Sequence, residues 1–199
     1  MTFSELARGV RSQIGQQHRY AHSVRVARCA DVLAQRHGVD PRKARTAGML
    51  HDLARLYEAQ RLLDECQARG MAIGSFERVH PMLLHARLGA VLASELFGVR
   101  DRDILSAIEK HTTGAGEMSP LDCVVYLADS LEPARSFAER GELWELSLRD
   151  LHAATRDVLL LSIRHYAAKG KPLAPPTAAA ARTFGIDPNV LEEVSISAI

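Results

Sequence analysis

Residues 47–55 read Ala47-Gly48-Met49-Leu50-His51-Asp52-Leu53-Ala54-Arg55 and place an adjacent histidine and aspartate in the middle of an apolar helical segment. An ionised aspartate among apolar neighbours is costly unless a cation or several hydrogen-bond donors contact it. A buried metal ion is one physical answer to that cost. Because neighbouring helical residues diverge by about 100°, a cation that contacts both His51 and Asp52 must take its other ligands from different helices.

The segments on either side of this pair have the pattern of a helical protein. Apolar residues recur at helical spacing from Tyr20 to Leu33, and Gly38 follows where a left-handed helix cap belongs. Asp40-Pro41 is typical of a helix start, and Trp144 to Tyr166 has the periodicity of one long helix. No segment shows the sustained alternation of a β-strand. We therefore predict an all-α fold.

Length and charge limit the class of protein. The chain has 199 residues, 47% of them hydrophobic, and its 25 Lys and Arg against 24 Asp and Glu give a formal charge of +1. Because this balance gives no broad positive field, we expect no nucleic-acid or membrane partner. No apolar run approaches the roughly 20 residues of a membrane-spanning helix, and Glu5 lies where a signal peptide would be basic or apolar. We predict a cytoplasmic protein.

The composition changes near residue 170 and suggests a boundary there. Residues 1–168 have the helical pattern of one domain, whereas a stretch rich in proline and alanine begins at Gly170. We predict that residues 169–199 form a tail with a short helix, packed on the same domain. The three cysteines, Cys29, Cys66 and Cys123, have no CxxC spacing, which argues against a disulfide framework and against a thiolate zinc site.

Histidines and aspartates also lie at regular places on the other predicted helices. His22, His85, His111 and Asp129 fall in this order along the chain, each within or at the end of a different helix. Imidazole and carboxylate ligands without cysteine suit iron, manganese, cobalt or zinc. Two metal ions that share Asp52 as a bridge would use all six residues, and ions about 3.5 to 4 Å apart can activate water and bind both oxygens of a phosphoryl transfer.

The segments around these residues resemble the HD-domain metal-dependent phosphohydrolases. More narrowly, they resemble the YqeK family of symmetrical bis(5'-nucleosyl)-tetraphosphatases. The resemblance covers most of residues 15–140 in order. It is carried by the His51-Asp52 segment and by Arg19-Tyr20-Ala21-His22-Ser23, Leu83-Leu84-His85, His111-Thr112-Thr113-Gly114, and Tyr126-Leu127-Ala128-Asp129 with Glu132-Pro133 and Arg135.

This resemblance implies an all-helical HD-domain bundle, a centre of two divalent metal ions that often holds iron, and hydrolysis of diadenosine tetraphosphate to two ADP. By position in the motifs, His22, His51, Asp52 and Asp129 would bind one metal ion. Asp52 would bridge to the second ion, which His85 and His111 would also bind. Manganese, cobalt or zinc are the alternatives to iron.

Cationic and hydroxyl side chains beside these motifs are candidates to bind the polyphosphate. We expect a metal-bound water or hydroxide as the nucleophile, with Arg55 and Arg135 assisting catalysis because the family pattern supports both. The predicted substrate contacts are Arg19, Arg55, Lys110, Thr112, Thr113, Gly114 and Arg135.

Three other functions are compatible with the same ligand set. One is another HD-type hydrolase that acts on a deoxynucleotide or cyclic nucleotide, which a substrate screen would identify. The second is a di-iron oxygenase, which would consume oxygen. The third is a non-catalytic nucleotide-binding regulator, which would bind its ligand without turnover. All the phosphohydrolase readings imply a small nucleotide as partner, and a homodimer is left open.

Overall fold

Helices make up the regular structure of residues 2–187, which are the residues that this computed structural model describes. No β-strand occurs in that range, so the predicted all-α class is confirmed. Residues 188–199 of the predicted tail lie outside the described range. A short 3-10 helix, Pro81–Leu83, precedes the sixth of the α-helices, which are α1 (Phe3–Ile14), α2 (Gln17–Arg36), α3 (Pro41–Leu50), α4 (Ala59–Ala68), α5 (Ser75–Val79), α6 (Leu84–Phe97), α7 (Arg102–Lys110), α8 (Pro120–Leu131), α9 (Arg140–Ser147), α10 (Leu151–Ala168) and α11 (Pro175–Thr183).

Side-chain caps fix where the central helices begin. The Asp40 carboxylate accepts a hydrogen bond from the backbone N–H of Arg42 at 2.7 Å, and Pro41 occupies the first turn of α3. Ser119 and Asp122 form a reciprocal capping box at the start of α8. These contacts satisfy backbone donors that a helix start leaves without a partner. The helix start predicted from Asp40-Pro41 is therefore present, and Ser119-Pro120 begins α8 in a similar way.

A glycine lets the two most extensively paired helices, α2 and α3, approach closely. A Cβ atom placed on Gly48 of α3 would lie 3.0 Å from the Cα of Ala27 in α2. A second close approach occurs between Gly89 of α6 and the carbonyl oxygen of His51, which an added Cβ would meet at 3.2 Å. Helices α2, α3 and α6 therefore come together beside His51.

The His51-Asp52 pair lies at the end of α3 and not in the middle of a helix, so that part of the sequence prediction is wrong. Helix α3 ends at Leu50, and the chain continues in turns with shorter-range hydrogen bonds, from Leu53 N–H to the Leu50 carbonyl and from Arg55 N–H to the Asp52 carbonyl. These tighter turns are a common way for a helix to end. The pair is thereby presented at a helix terminus.

The single helix predicted from Trp144 to Tyr166 is also wrong. It is divided into α9 and α10 by Asp150, whose backbone is extended and whose carboxylate accepts a hydrogen bond from Ala153 N–H at 2.9 Å. Apolar residues on both sides of the break face the core, so the periodicity continues across it. The aspartate begins a new helix because its side chain competes for the backbone donors.

The last described helix, α11, packs beside α10 and against the loop that follows α7. The Thr183 hydroxyl donates to the Gly116 carbonyl at 2.6 Å, and Ala180 lies beside Gly114. This part of the predicted tail thus contacts the segment that begins with His111. Among the described residues, no helix combines the length and the apolar character needed to cross a membrane.

Candidate metal centre and active-site cavity

Five helix segments converge on one cluster of histidine and aspartate side chains. His22 comes from α2, His85 from the first turn of α6 and Asp129 from the last turn of α8. His51 and Asp52 follow α3, and His111 follows α7. All are buried except Asp129, whose side chain is 18% exposed. The structure therefore brings together all six residues that the sequence predicts as metal ligands.

The two carboxylate oxygens of Asp52 face different pairs of histidines. Its Oδ2 lies 3.5 Å from His51 Nε2 and 3.7 Å from His22 Nε2. Its Oδ1 lies 3.5 Å from His85 Nε2 and 3.7 Å from His111 Nε2. This arrangement is what a carboxylate bridging two cations requires.

Within each pair, the imidazole nitrogens are spaced as ligands of one small cation would be. The Nε2 atoms of His22 and His51 are 3.2 Å apart, and those of His85 and His111 are 3.3 Å apart. Asp129 Oδ1 lies 3.0 Å from His22 Nε2, on the side of the first pair. Tetrahedral ligands at zinc-like bond lengths are separated by about 3.4 Å, so these distances fit a first-row metal ion.

The other nitrogen of each imidazole has a hydrogen-bond acceptor that fixes its role. The Nδ1 atoms of His51, His85 and His111 donate to the carbonyl oxygens of Gly48, Met82 and Ile108 at 2.8, 2.5 and 2.7 Å. Because a carbonyl can only accept, Nδ1 carries the proton and a neutral ring presents a lone pair at Nε2. Two lone pairs that face each other need a cation between them. The donor set therefore fits bound metal ions.

The pKa values of Asp52, Asp129 and His85 favour their ligand forms, whereas those of His22 and His51 favour the protonated ring. Burial raises the pKa of Asp52 and Asp129, but neighbouring histidines, chiefly His51 for Asp52 and His22 for Asp129, lower both pKa values below the ordinary range. Burial, with His111 beside it, lowers the pKa of His85 to about 4. The pKa values of His22 and His51 are raised overall. Burial acts to lower them, but the carboxylates of Asp129 beside His22 and of Asp52 beside His51 outweigh that effect. The carboxylates are thus ionised and attract positive charge.

Glu132 orients His22 and was not predicted from the sequence to have a role in the site. Its buried carboxylate accepts from His22 Nδ1 at 3.1 Å, from Arg25 Nε at 2.5 Å and from Ala134 N–H at 2.8 Å. Burial raises the pKa of Glu132, but these donors, Arg25 first, lower it to about 2. A carboxylate behind a ligand histidine is a common feature of metal sites. The Glu132-Pro133 motif was the sequence signal for this residue.

The cluster forms one wall of an open cavity of about 750 Å³. Asp52, His85, His111 and Asp129 line it, so the Asp52 carboxylate and the second histidine pair border the cavity, whereas His22 and His51 do not line it. Of the predicted substrate contacts, four also line it: Arg19, Arg55, Thr112 and Arg135.

Two of these arginines contact the candidate ligands. Arg19 Nη1 lies 3.4 Å from Asp52 Oδ2, and Arg135 Nη2 lies 2.5 Å from Asp129 Oδ1. Arg135 Nε also donates to the Asp129 carbonyl at 2.9 Å. Thr112 Oγ1 lies 3.0 Å from His111 Nε2 and 3.2 Å from the corresponding atom of His85. Arg135 therefore supports Asp129 in addition to facing the cavity, which the sequence did not indicate.

The other three predicted substrate contacts lie elsewhere. Lys110, Thr113 and Gly114 line a neighbouring cavity of about 460 Å³ and not the one beside the metal centre. Lys110 Nζ lies 2.8 Å from Oδ2 of Asp122, whose side chain is fully buried. Proximity to His111 in sequence did not bring these residues to the same face, because the chain turns directly after that histidine.

Comparison with known proteins gives a consistent relationship over most of the chain. Residues 19–134 match the family model of the HD domain. A Bacillus subtilis (strain 168) protein named "Bis(5'-nucleosyl)-tetraphosphatase, symmetrical" is 35% identical over 161 residues, which cover 81% of this chain and 86% of that protein. A protein of the same name from Halalkalibacterium halodurans is 32% identical, with 82% and 87% covered.

A solved structure shows the same architecture. The crystal structure of a predicted HD superfamily hydrolase involved in NAD metabolism, from Clostridium acetobutylicum, matches with a TM-score of 0.87 and 32% sequence identity. The match covers 92% of this chain and 97% of that one. The predicted HD-type helical bundle is therefore confirmed.

Proposed function

The chain belongs to the HD-domain family and, within it, to the symmetrical bis(5'-nucleosyl)-tetraphosphatases, and from this premise we propose that it hydrolyses diadenosine tetraphosphate to two ADP. The observation that carries the proposal is the placement of Asp52, with one carboxylate oxygen toward His22 and His51 and the other toward His85 and His111. This pattern supports a bridge between two cations at the wall of an open cavity.

We assign the candidate ligands to two sites. His22, His51 and Asp129 would bind one divalent cation and His85 and His111 the other, with Asp52 shared. Nitrogen and oxygen donors without cysteine suit iron, manganese, cobalt or zinc, and the family resemblance favours iron. When bound there, two such cations lower the pKa of a water molecule and neutralise charge on the phosphoryl oxygens.

The arginines of the cavity are suited to bind the phosphate chain. Arg55 lines the cavity and, unlike Arg19 and Arg135, has no carboxylate partner among residues 2–187. Its guanidinium is therefore available to bind phosphate oxygens in a bidentate manner. Arg19 and Arg135 are partly exposed and can contact phosphate while they remain beside Asp52 and Asp129.

Symmetric cleavage follows from placing the middle of the tetraphosphate at Asp52. With guanidinium groups beside the cluster, the flanking phosphates are held on either side and an inner phosphorus is exposed to water. The leaving group is a nucleoside diphosphate, which is stable as an anion. We identify no side-chain general acid, and this leaving group scarcely needs one.

The proposal is tested by product analysis. Protein stripped with a chelator is loaded separately with iron, manganese, cobalt or zinc and incubated with diadenosine tetraphosphate in ¹⁸O-labelled water. We expect ADP as the nucleotide product, with label in half of the ADP molecules, and no turnover in the stripped protein. Formation of AMP and ATP would contradict symmetric cleavage. Full activity in excess chelator would contradict a metal-dependent reaction.

A further inference from the structure

A third cavity, here called the side cavity, adjoins the cavity of the metal centre and has a more apolar wall. Its volume is about 370 Å³, and α5, the 3-10 helix, α10 and the segment from Lys171 to Ala174 contribute to its wall. Six residues line both cavities: Met82, Leu83, Thr112, Tyr126, Ser162 and Tyr166. The two cavities are therefore neighbours that share one wall, and Thr112 of that wall lies beside His85 and His111.

Exposed apolar side chains are concentrated at the side cavity. Val79 is 73% exposed, Met82 39% and Tyr166 38%, and all three line it. Leaving large apolar groups in water is unfavourable, and a local group of them marks a binding surface more often than isolated ones do. The side cavity thus offers an apolar surface directly beside a site for a charged phosphate chain.

Aromatic rings suit this surface to a flat occupant. Phe76 lines the side cavity and packs against the His80 ring with centroids 4.5 Å apart. Tyr166 lies at the boundary with the metal cavity. Aromatic faces bind nucleobases by stacking, with little dependence on base identity. The volume of the side cavity, about 370 Å³, lies within the usual range of ligand pockets and can hold one nucleoside.

We propose that the side cavity binds one of the two nucleosides of the substrate, with its base against Phe76 and Val79. The assignment rests on the proposed function, since it needs a substrate whose phosphate chain reaches the metal centre. Met82, Thr112 and Tyr166 in the shared wall then lie where the ribose meets the phosphates. The other nucleoside extends from the opposite end of the chain and does not use this cavity.

The test uses substrates that differ by one nucleoside. Adenosine 5'-tetraphosphate can place its single nucleoside outside the side cavity, whereas diadenosine tetraphosphate fills both positions. Phe76→Leu retains an apolar side chain but removes the ring face. We expect about a ten-fold higher KM for diadenosine tetraphosphate, from the usual strength of base stacking, with kcat nearly unchanged and a much smaller effect on adenosine 5'-tetraphosphate.

Val79→Ser provides a second variant at an exposed position, where folding is not at risk. Its matched control is Val32→Ser, which makes the same change at a 46% exposed valine of α2 that does not line either cavity. We expect a higher KM for diadenosine tetraphosphate with Val79→Ser and no change with Val32→Ser. Equal KM values for wild type, Phe76→Leu and Val79→Ser would overturn the proposal, as would equal losses on both substrates.

Direct binding separates this proposal from the proposed function. Calorimetric titration of the metal-loaded protein with ADP should show two sites per chain, one of them weakened in Phe76→Leu. That result without any turnover of diadenosine tetraphosphate would reject the proposed function and leave the side cavity as a nucleoside site. Turnover with unaltered ADP binding in Phe76→Leu would reject the side cavity assignment alone.

Discussion

At the scale of single residues, the four histidines are oriented in two different ways. His51, His85 and His111 each contact the backbone carbonyl of the residue three positions earlier, so their orientation depends on their own helix terminus. His22 instead contacts the carboxylate of Glu132, 110 residues away in the sequence. Its orientation therefore depends on how α2 packs against the end of α8.

We predict that Glu132→Ala weakens metal binding, because His22 loses the acceptor that orients it and Arg25 loses its partner. Substitution of such a supporting residue typically lowers metal affinity by about 10-fold to 100-fold. Competition with a chelator measures the change. Glu132→Gln retains an oxygen that accepts from His22 and should show a smaller effect. Glu142→Ala, at an exposed position of α9, should leave the metal affinity unchanged. Equal metal affinity in all three variants would refute the role of Glu132 in orienting His22.

A second residue-scale prediction distinguishes Arg55 from Arg135. Arg55→Ala should lower kcat/KM by about 10-fold to 100-fold, the usual range for a charge-assisted hydrogen bond, with the metal content unchanged. Arg135→Ala should reduce both turnover and metal retention, because Arg135 also contacts Asp129. Steady-state kinetics and elemental analysis measure the two quantities.

Arg102→Ala, at an exposed position of α7, is the control for these two variants and should leave both turnover and metal content unchanged. Unaltered kinetics in Arg55→Ala would remove this residue from the substrate site. A full metal complement in Arg135→Ala would show that the contact with Asp129 is not needed for metal binding.

At the scale of secondary-structure elements, the sequence predicted the segments that carry local signals. Asp40-Pro41 and Ser119-Pro120 begin helices because their side chains and rings act on the adjacent backbone. The break at Asp150 was missed because apolar residues continue in phase across it. Lys110, Thr113 and Gly114 were predicted to contact the substrate because they follow or precede His111 in the sequence; all three line a cavity other than the one beside the metal centre, and Thr113 also lines the side cavity.

The loop after α7 depends on a glycine where α11 packs against it. Gly114 has φ of +64°, and an added Cβ would lie 3.2 Å from Ala180 Cβ and 3.3 Å from Met118 Sδ. We predict that Gly114→Ala lowers the free energy of unfolding by about 2 to 4 kcal/mol, from backbone strain and overpacking together. Denaturant unfolding measures the loss.

A matched control separates the two causes of the stability loss in Gly114→Ala, which are backbone strain and overpacking. Gly170 has a similar φ of +60° but no atom within 4 Å of an added Cβ. Gly170→Ala should therefore show the cost of backbone strain alone, about 1 kcal/mol. Equal losses in the two variants would show that contact with α11 contributes nothing to the stability of the loop.

At the scale of the whole molecule, the candidate ligands connect elements that are distant in sequence. Helices α2, α3, α6, α7 and α8 each contribute, and the same helices form the core around His51. The sequence could predict the ligand types and their order, because each lies in its own local motif. It could not predict the packing of α11 or the division of the surface into adjacent cavities, since both depend on contacts between distant segments.

Metal removal should therefore destabilise the entire fold and not only the active site. A cation present at about 1,000 times its dissociation constant adds about 4 kcal/mol to the free energy of unfolding, which corresponds to a Tm increase of roughly 10 °C for a chain of this size. We predict a decrease of that order when a chelator strips the protein, measured by thermal unfolding. Asp52→Ala, which lacks the carboxylate placed between the two histidine pairs, should show little further change on addition of chelator.

The buried cysteines provide an independent measure of the same effect. Cys29, Cys66 and Cys123 are buried, and burial raises the pKa of Cys29 and Cys123 to about 11. At pH 8 these two thiols are therefore protonated as well as inaccessible, so alkylation requires opening of the fold. Chelation should accelerate their alkylation, because loss of the cations stabilises the open state relative to the folded one. Unchanged alkylation rates and an unchanged Tm after complete metal removal would show that the five helices hold together without the cations.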